Sequence, residues 1–144
     1  GPCGVAVGTV GAVKVGDKKK WVNLDLSTNV LSWAAILDWY YHAVPVENTE
    51  REATETVDIV GPLCNSDEIG KHRKMPPLVR GEHVAFLDAG GYVESQAARY
   101  NAQCLPATVL VFNELSEITT EREQLRDVSS RFRVPPRLLA QSFS

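Results

Sequence analysis

The chain has 144 residues, enough for one domain with its own core. Fifteen Lys and Arg against 18 Asp and Glu leave a formal net charge of -3, so there is no basic footprint for nucleic acid. No stretch approaches the ~18 consecutive apolar residues of a membrane span, and no signal-peptide pattern leads the chain, so the expected location is cytoplasmic.

Gly1-Pro2 reads as the remnant of a cleaved tag. Val5 to Val15 is rich in β-branched residues and glycine, and predicts a strand with a bend or bulge at the glycines. Gly16-Asp17 and Lys18-Lys19-Lys20 form a solvated tip, and Trp21 to Leu26 alternates apolar and polar residues as a second strand. The two are expected to pair as a hairpin. Val30 to His42 is apolar and aromatic, and its period alone settles neither helix nor strand; a partner-facing loop with a short helical turn is expected. Ala43 to Val46 is a short strand in which Pro45 hints at an edge, and Glu47 to Glu55 is a charged loop.

Thr56 to Val60 is a strand running into Gly61-Pro62. Ser66 to Arg80 is polar and reads as a surface loop. His83 to Leu87 and Pro106 to Phe112 are strands, Leu115 to Thr119 a further one, and Val93 to Tyr100 one or two helical turns. Glu121 to Arg131 has helix-forming composition that Pro135-Pro136 should stop, leaving a partly irregular tail over 132–144. Many short strands with frequent turns predict a mainly β fold: a Greek-key-like barrel or sandwich with one or two short helices. Nothing alternates as βαβ, so no parallel sheet with a nucleotide crevice is expected.

The three cysteines, Cys3, Cys64 and Cys104, have no CxxC spacing, and His42, His72 and His83 lie far from them in sequence. No metal site is expected, and Cys104 reads as a small buried hydrophobe. Two turns carry chemistry. Gly61-Pro62-Leu63-Cys64-Asn65-Ser66-Asp67 fixes a thiol just after a strand, where it suits a proton donor or nucleophile. Asp88-Ala89-Gly90-Gly91-Tyr92 pairs two glycines, which let backbone approach a ligand, with a hydroxyl suited to an anionic oxygen. Each also has a plain reading, as a cysteine packed at a strand end and as a β-turn with a packed tyrosine.

Taken in this order, with Tyr100-Asn101 and the strand from Pro106, the two turns resemble the C-terminal domain of the fold-type III pyridoxal-phosphate decarboxylases. That family includes the diaminopimelate, ornithine and arginine decarboxylases. Trp21 to Asp25, Tyr41-His42, and Ile118 to Leu125 with Arg122-Glu123 add to the likeness, which covers nearly the whole chain, 1–144. The resemblance implies that Cys64 reaches the partner subunit's site and helps to protonate the product. It implies that Tyr92, with Gly91 beside it, binds the phosphate of pyridoxal 5'-phosphate, and that Asn65 and Asp67 stand where the substrate is contacted.

Two departures bear on the substrate, an amino acid. Asn65 stands where the family usually has Asp or Glu for a distal amine; it keeps hydrogen bonding and drops the charge. Diaminopimelate decarboxylases have an arginine between the positions matching Asp25 and Tyr41, whereas Ser27 to Tyr40 contains no Arg or Lys. The expected substrate therefore has an uncharged, amide-like or tethered distal end rather than being diaminopimelate.

The family's cofactor-binding lysine sits on an N-terminal (β/α)8 barrel of roughly 250 residues, and no lysine of this chain has its context. The resemblance thus implies a (β/α)8 domain or subunit as partner, within a homodimer or heterodimer, and no activity for the chain alone. The small domain of the family also borrows a strand from before the barrel, so a sheet edge is expected to be exposed or paired with a neighbour. Trp33, Ile36, Leu37, Trp39 and Tyr40 are either an apolar docking patch or this domain's own core. The alternative to an enzyme domain is a non-catalytic partner-binding module of the same fold; a racemase, which lacks the Gly-Pro-x-Cys turn, ranks below both.

Overall fold

The computed structural model describes residues 2–139. Gly1 and the 140–144 part of the expected irregular tail lie outside the described residues. The chain clusters into two units, Gly1–Ala98 and Arg99–Ser144.

The first unit is a six-stranded sheet. Its strands are β1 (Ala6–Val15), β2 (Lys20–Leu24), β3 (Ala43–Pro45), β4 (Glu55–Val60), β5 (Glu68–Met75) and β6 (His83–Phe86), in the spatial order β3-β6-β1-β2-β4-β5. β1 is long because it serves two neighbours. Ala6 to Thr9 pair with β6, and Val10 to Val15 pair with β2. The register shifts between Val10 and Ala12, so the expected bulge falls at Gly11, where a bulge bends the sheet toward closure. The hairpin turn closes with Gly16 N–H donating to the Lys19 carbonyl at 2.8 Å. β2 and β4 pair in parallel, Trp21 opposite Asp58, and the other pairs are antiparallel. This parallel pair comes from a long crossover through a short helix, α1 (Ser32–Ile36), and β3.

The two edges of the sheet, β3 and β5, come close to each other and leave the barrel nearly closed. Val10, Val22, Leu24, Ile59, Val84 and Phe86 fill its interior. The apolar segment after β2 divides between inside and outside. Val30, Leu31 and Ala34 are buried and Trp33 packs partly against the core, whereas Ile36, Leu37, Trp39 and Tyr40 stand exposed.

One expectation fails here. Ser66 to Arg80 contains β5, an eight-residue strand, rather than forming a surface loop throughout. Its sequence looks like a loop for two reasons. A bulge with His72 at φ 51° breaks the alternation in mid-strand, and one inward position is occupied by a charged residue, Arg73. Ile69 and Met75 supply the buried apolar contacts at either end.

The second unit contains a hairpin of β7 (Thr108–Phe112) and β8 (Leu115–Thr120), and helices α3 (Leu125–Ser129) and α4 (Pro136–Leu139). Arg99 grips Glu123 through Nε at 3.0 Å to both carboxylate oxygens, and Leu105 N–H donates to Glu123 Oε2 at 3.0 Å. The hydrogen bond and charge of Arg99 hold the Glu123 carboxyl below its ordinary range. The residues Pro135-Pro136 do not merely end a helix. Pro136 opens α4, at a position where its missing N–H costs nothing. Cys104 is half-buried rather than fully packed.

Asp58 fixes the bulge on β5. It is 3% exposed, accepts from His72 N–H at 2.8 Å, and accepts from Lys19 Nζ at 2.9 Å. Burial alone would raise its carboxyl, but the bonds from His72 and Lys19 outweigh that and hold it below the ordinary value. A carboxyl depressed on folding contributes stability that is complete above its unfolded value of about 3.9 and is lost as pH falls through the lower folded value. Lys19 is half-exposed, so its ion pair adds little and the bond to the His72 amide carries most of the effect. Asp58→Asn is expected to lower stability by about 1–2 kcal/mol at neutral pH. Urea titrations across pH should show that gap narrowing below about pH 4.

Candidate functional site

The loop after β4 is tied off at its base. Gly61 N–H donates to the Asp67 carbonyl at 2.9 Å. The Asp67 side chain, 4% exposed, then makes three bonds. Oδ1 accepts from Thr28 N–H at 2.8 Å and from Thr28 Oγ1 at 2.7 Å, and Oδ2 accepts from Leu63 N–H at 2.9 Å. A Cβ on Gly61 would lie 2.2 Å from Asp67 Oδ2 and 2.5 Å from Ser27 Cβ, so no other residue fits there. With Leu63 and Asp67 turned inward, Cys64, Asn65 and Ser66 project outward as an exposed tip. A cleft of about 330 Å³ lies against this tip, lined by Asn65, Ser66, Trp21 and Asn23. The buried Asn23 Oδ1 has no hydrogen-bond partner.

The second turn follows β6. Ala89 N–H donates to the Gly4 carbonyl at 2.8 Å, and a Cβ on Gly4 would sit 2.2 Å from Gly90 Cα. Asp88 and Tyr92 both take the left-handed backbone region, at φ 61° and 65°. Asp tolerates that region, while a bulky Tyr there is strained. Tyr92 precedes α2 (Val93–Gln96), whose Gln96 N–H donates to the Tyr92 carbonyl at 2.9 Å. The Tyr92 side chain is 67% exposed and meets Trp33 edge to face, with centroids 5.9 Å apart at 72°. Gly91 beside it is half-buried.

Residues 27–33 join the two turns. Thr28 holds the Cys64 loop through Asp67, and Asn29 exchanges bonds with Ala98, its Nδ2 donating to the Ala98 carbonyl at 2.9 Å and its carbonyl accepting from Ala98 N–H at 2.8 Å. Ser32 Oγ donates to Gln96 Oε1 at 3.2 Å, and Trp33 braces Tyr92. Both turns are therefore pinned to one short buried segment. Of the residues singled out from sequence, Cys64 and Asn65 share the exposed tip, Tyr92 with Gly91 occupies the other turn, and Asp67 lies beneath the tip with its carboxylate engaged by this chain. Sequence reading missed Thr28 and Trp33. Thr28 gave no signal, and Trp33 gave only membership of an apolar run. Among the described residues no three His, Cys, Asp or Glu side chains converge on a metal-sized site, and no helix is long and apolar enough to cross a membrane.

Comparison with known proteins bears on this arrangement. Residues 2–90 match the family described as pyridoxal-dependent decarboxylase, C-terminal sheet domain. The chain is 32% identical over 136 residues to a diaminopimelate decarboxylase of Archaeoglobus fulgidus, covering 94% of this chain and 32% of that protein. It is 36% identical over 126 residues to one from Neisseria meningitidis serogroup B, covering 87% and 30%. Among solved structures, the diaminopimelate decarboxylase of M. jannaschii superposes with a TM-score of 0.86 at 31% identity, over 93% of this chain and 31% of that one. The chain thus spans about a third of the length of the relatives it matches. The family profile over residues 2–90, the sequence identities and the superposition agree, and the chain belongs to the C-terminal sheet-domain family of the pyridoxal-dependent decarboxylases.

Proposed function

We propose that the whole chain, 1–144, serves as the C-terminal domain of an amino-acid decarboxylase that uses pyridoxal 5'-phosphate. The active site would be completed by a (β/α)8 domain or subunit within a dimer, and the chain alone would be inactive. The observation that carries this reading is the anchoring of both turns to residues 27–33, which leaves a thiol and a phenol exposed on fixed backbone.

The residues suit one wall of such a site. The exposed Tyr92 hydroxyl is a ready donor to a phosphate oxygen, and the neighbouring Gly91 backbone keeps that approach open. When bound, the cofactor supplies the electron sink for loss of carbon dioxide. Cys64 holds a proton on Sγ and delivers it to the substrate carbon that has lost the carboxylate. Asn65, on the same tip, hydrogen-bonds the far end of the substrate. Asp67 acts with it from below, setting the position of the tip through Leu63 and Thr28.

The relatives are named for diaminopimelate. Our reading of this chain's substrate differs, because Ser27 to Tyr40 offers no cation. In that segment it is Trp33 that stands beside Tyr92. A neutral Asn65 and an indole suit a substrate whose distal end is uncharged.

Three outcomes are expected. With the completing barrel present, Tyr92→Phe should weaken cofactor binding by about tenfold or more, as one charge-assisted hydrogen bond is lost; cofactor absorbance on titration reads this, and unchanged affinity would remove Tyr92 from the phosphate. Asp67→Ala should destabilise the chain by about 1–3 kcal/mol and speed hydrogen exchange at the Leu63 and Thr28 amides; unaltered protection there would mean that the carboxylate does not hold the tip. Asn65→Asp should shift kcat/KM toward amino acids with a cationic distal end, and an unaltered preference between cationic and neutral substrates would refute its assigned contact.

A further inference from the structure

A second feature lies in the first unit at the seam between the edge strands β3 and β5. A cleft of about 370 Å³ opens there, with Ala43 and His42 on one side and Glu68, Ile69 and residues 71–74 on the other. Trp39 and Tyr40, 55% and 62% exposed, stand at its margin. Arg73 reaches into it from β5. Its partner across the ladder is the buried Val57, so its side chain starts from the core face of the strand, and the residue is only 8% exposed. The guanidinium lies over the Tyr40 ring at 3.7 Å. Gly70 makes room for it: a Cβ there would be 2.7 Å from Arg73 Nε and 3.1 Å from Cγ.

Arg73 has no ion-pair partner among the described residues. Its buried Nε has no hydrogen-bond partner, and among the described residues no carboxylate lies within ion-pair distance of it. The nearby acids are engaged elsewhere, since Lys71 Nζ takes Asp38 at 3.3 Å and Glu68 at 3.8 Å. Burial pushes the guanidinium below its usual value despite the attraction of Tyr40 and Asp38, but an arginine does not shed its proton in a protein. Stacking on an aromatic face returns less than desolvation of a cation costs. A largely buried guanidinium with an unpartnered Nε and no carboxylate in ion-pair reach, set beside an open cleft, is suited to receive an anion.

We propose that this seam is a carboxylate-binding site. Arg73, held flat by Tyr40 and Gly70, takes a planar monoanion through its fork, and Trp39 and Tyr40 cover the apolar body that carries the anion. A monocarboxylate is favoured over a phosphate because Asp38 and Glu68 line the same cleft and repel a second negative charge. The carboxylate is carried either by a small molecule or by an acidic side chain of a polypeptide. Neither the cofactor nor the Cys64 tip enters this proposal, so it stands or falls apart from the decarboxylase reading.

The test is a titration of the 144-residue chain followed by NMR at arginine Nε–H groups, with Arg73→Lys identifying the resonance. Sodium acetate and acetyl-Gly-Glu-Gly-amide are added at ionic strength matched with sodium chloride. A saturable shift of the Arg73 Nε–H is expected with both, and affinity about tenfold weaker in Arg73→Lys, read from Trp39 fluorescence, as one forked contact is lost. The tighter of the two probes tells a small-molecule source from a polypeptide one. Inorganic phosphate should bind more weakly than acetate, and tighter phosphate binding would overturn the carboxylate assignment. A wild-type chain whose Arg73 resonance responds to neither carboxylate beyond the chloride control would end the proposal, whether or not the variant folds.

Discussion

The buried carboxylate of Asp67 is the tie on which the exposed tip depends. A charged group at 4% exposure is tolerable only when donors surround it, and here three donors from two segments do so. The consequence runs both ways. The loop after β4 is closed around its own acid, and the acid reaches across to Thr28, so the loop cannot move without the segment that follows β2. Gly61 completes the constraint by steric means, since the space a side chain would need is filled by Asp67 and Ser27. A flexible loop could not hold a thiol at one place; this one has its orientation set by hydrogen bonds below the surface, with Cys64, Asn65 and Ser66 at its exposed tip.

Much of this fold was legible in the sequence. β1, its bulge, the hairpin with β2, and the strands β4, β6, β7 and β8 follow from β-branched runs bounded by glycine, proline and charge. The two chemistry-bearing turns were legible as well, because Gly-Pro and Gly-Gly mark backbone that must bend. Three things were not. β5 was hidden because a bulge resets its alternation and Arg73 occupies an inward place, so a period-2 search finds no strand. The parallel pairing of β2 with β4 was hidden because pairing partners far apart in sequence leave no local signal. The bridge of residues 27–33 was hidden because Thr28 and Asn29 act through hydrogen bonds to groups distant in sequence, and nothing in a polar residue's identity says where its partner lies.

The failure at β5 and the unpaired charge at Arg73 have one cause. A strand normally sends apolar side chains inward, and a guanidinium sent inward must find compensation. Tyr40 and Gly70 give it a surface and a space, but not an ion-pair partner. The broken alternation of β5 and the unpaired guanidinium of Arg73 are therefore two sides of one local conflict between pattern and fold, and such conflicts concentrate where a protein binds something.

Tyr92 illustrates the same logic in the backbone. A left-handed φ in a bulky residue costs on the order of 1 kcal/mol, and the two preceding positions, Gly90 and Gly91, are the residues that adopt that region without penalty. The strain nonetheless falls on the tyrosine. The Gln96 amide bond to its carbonyl and the edge-to-face contact with Trp33 keep it there. If the only requirement were a turn, exchanging the roles of glycine and tyrosine would relieve the cost. What the strained arrangement secures is the direction of the side chain, which leaves the turn braced along one edge by an indole and with the rest of its surface in solvent. A phenol so directed stands on the surface and not in the core, as does the thiol raised on the Asp67 tie.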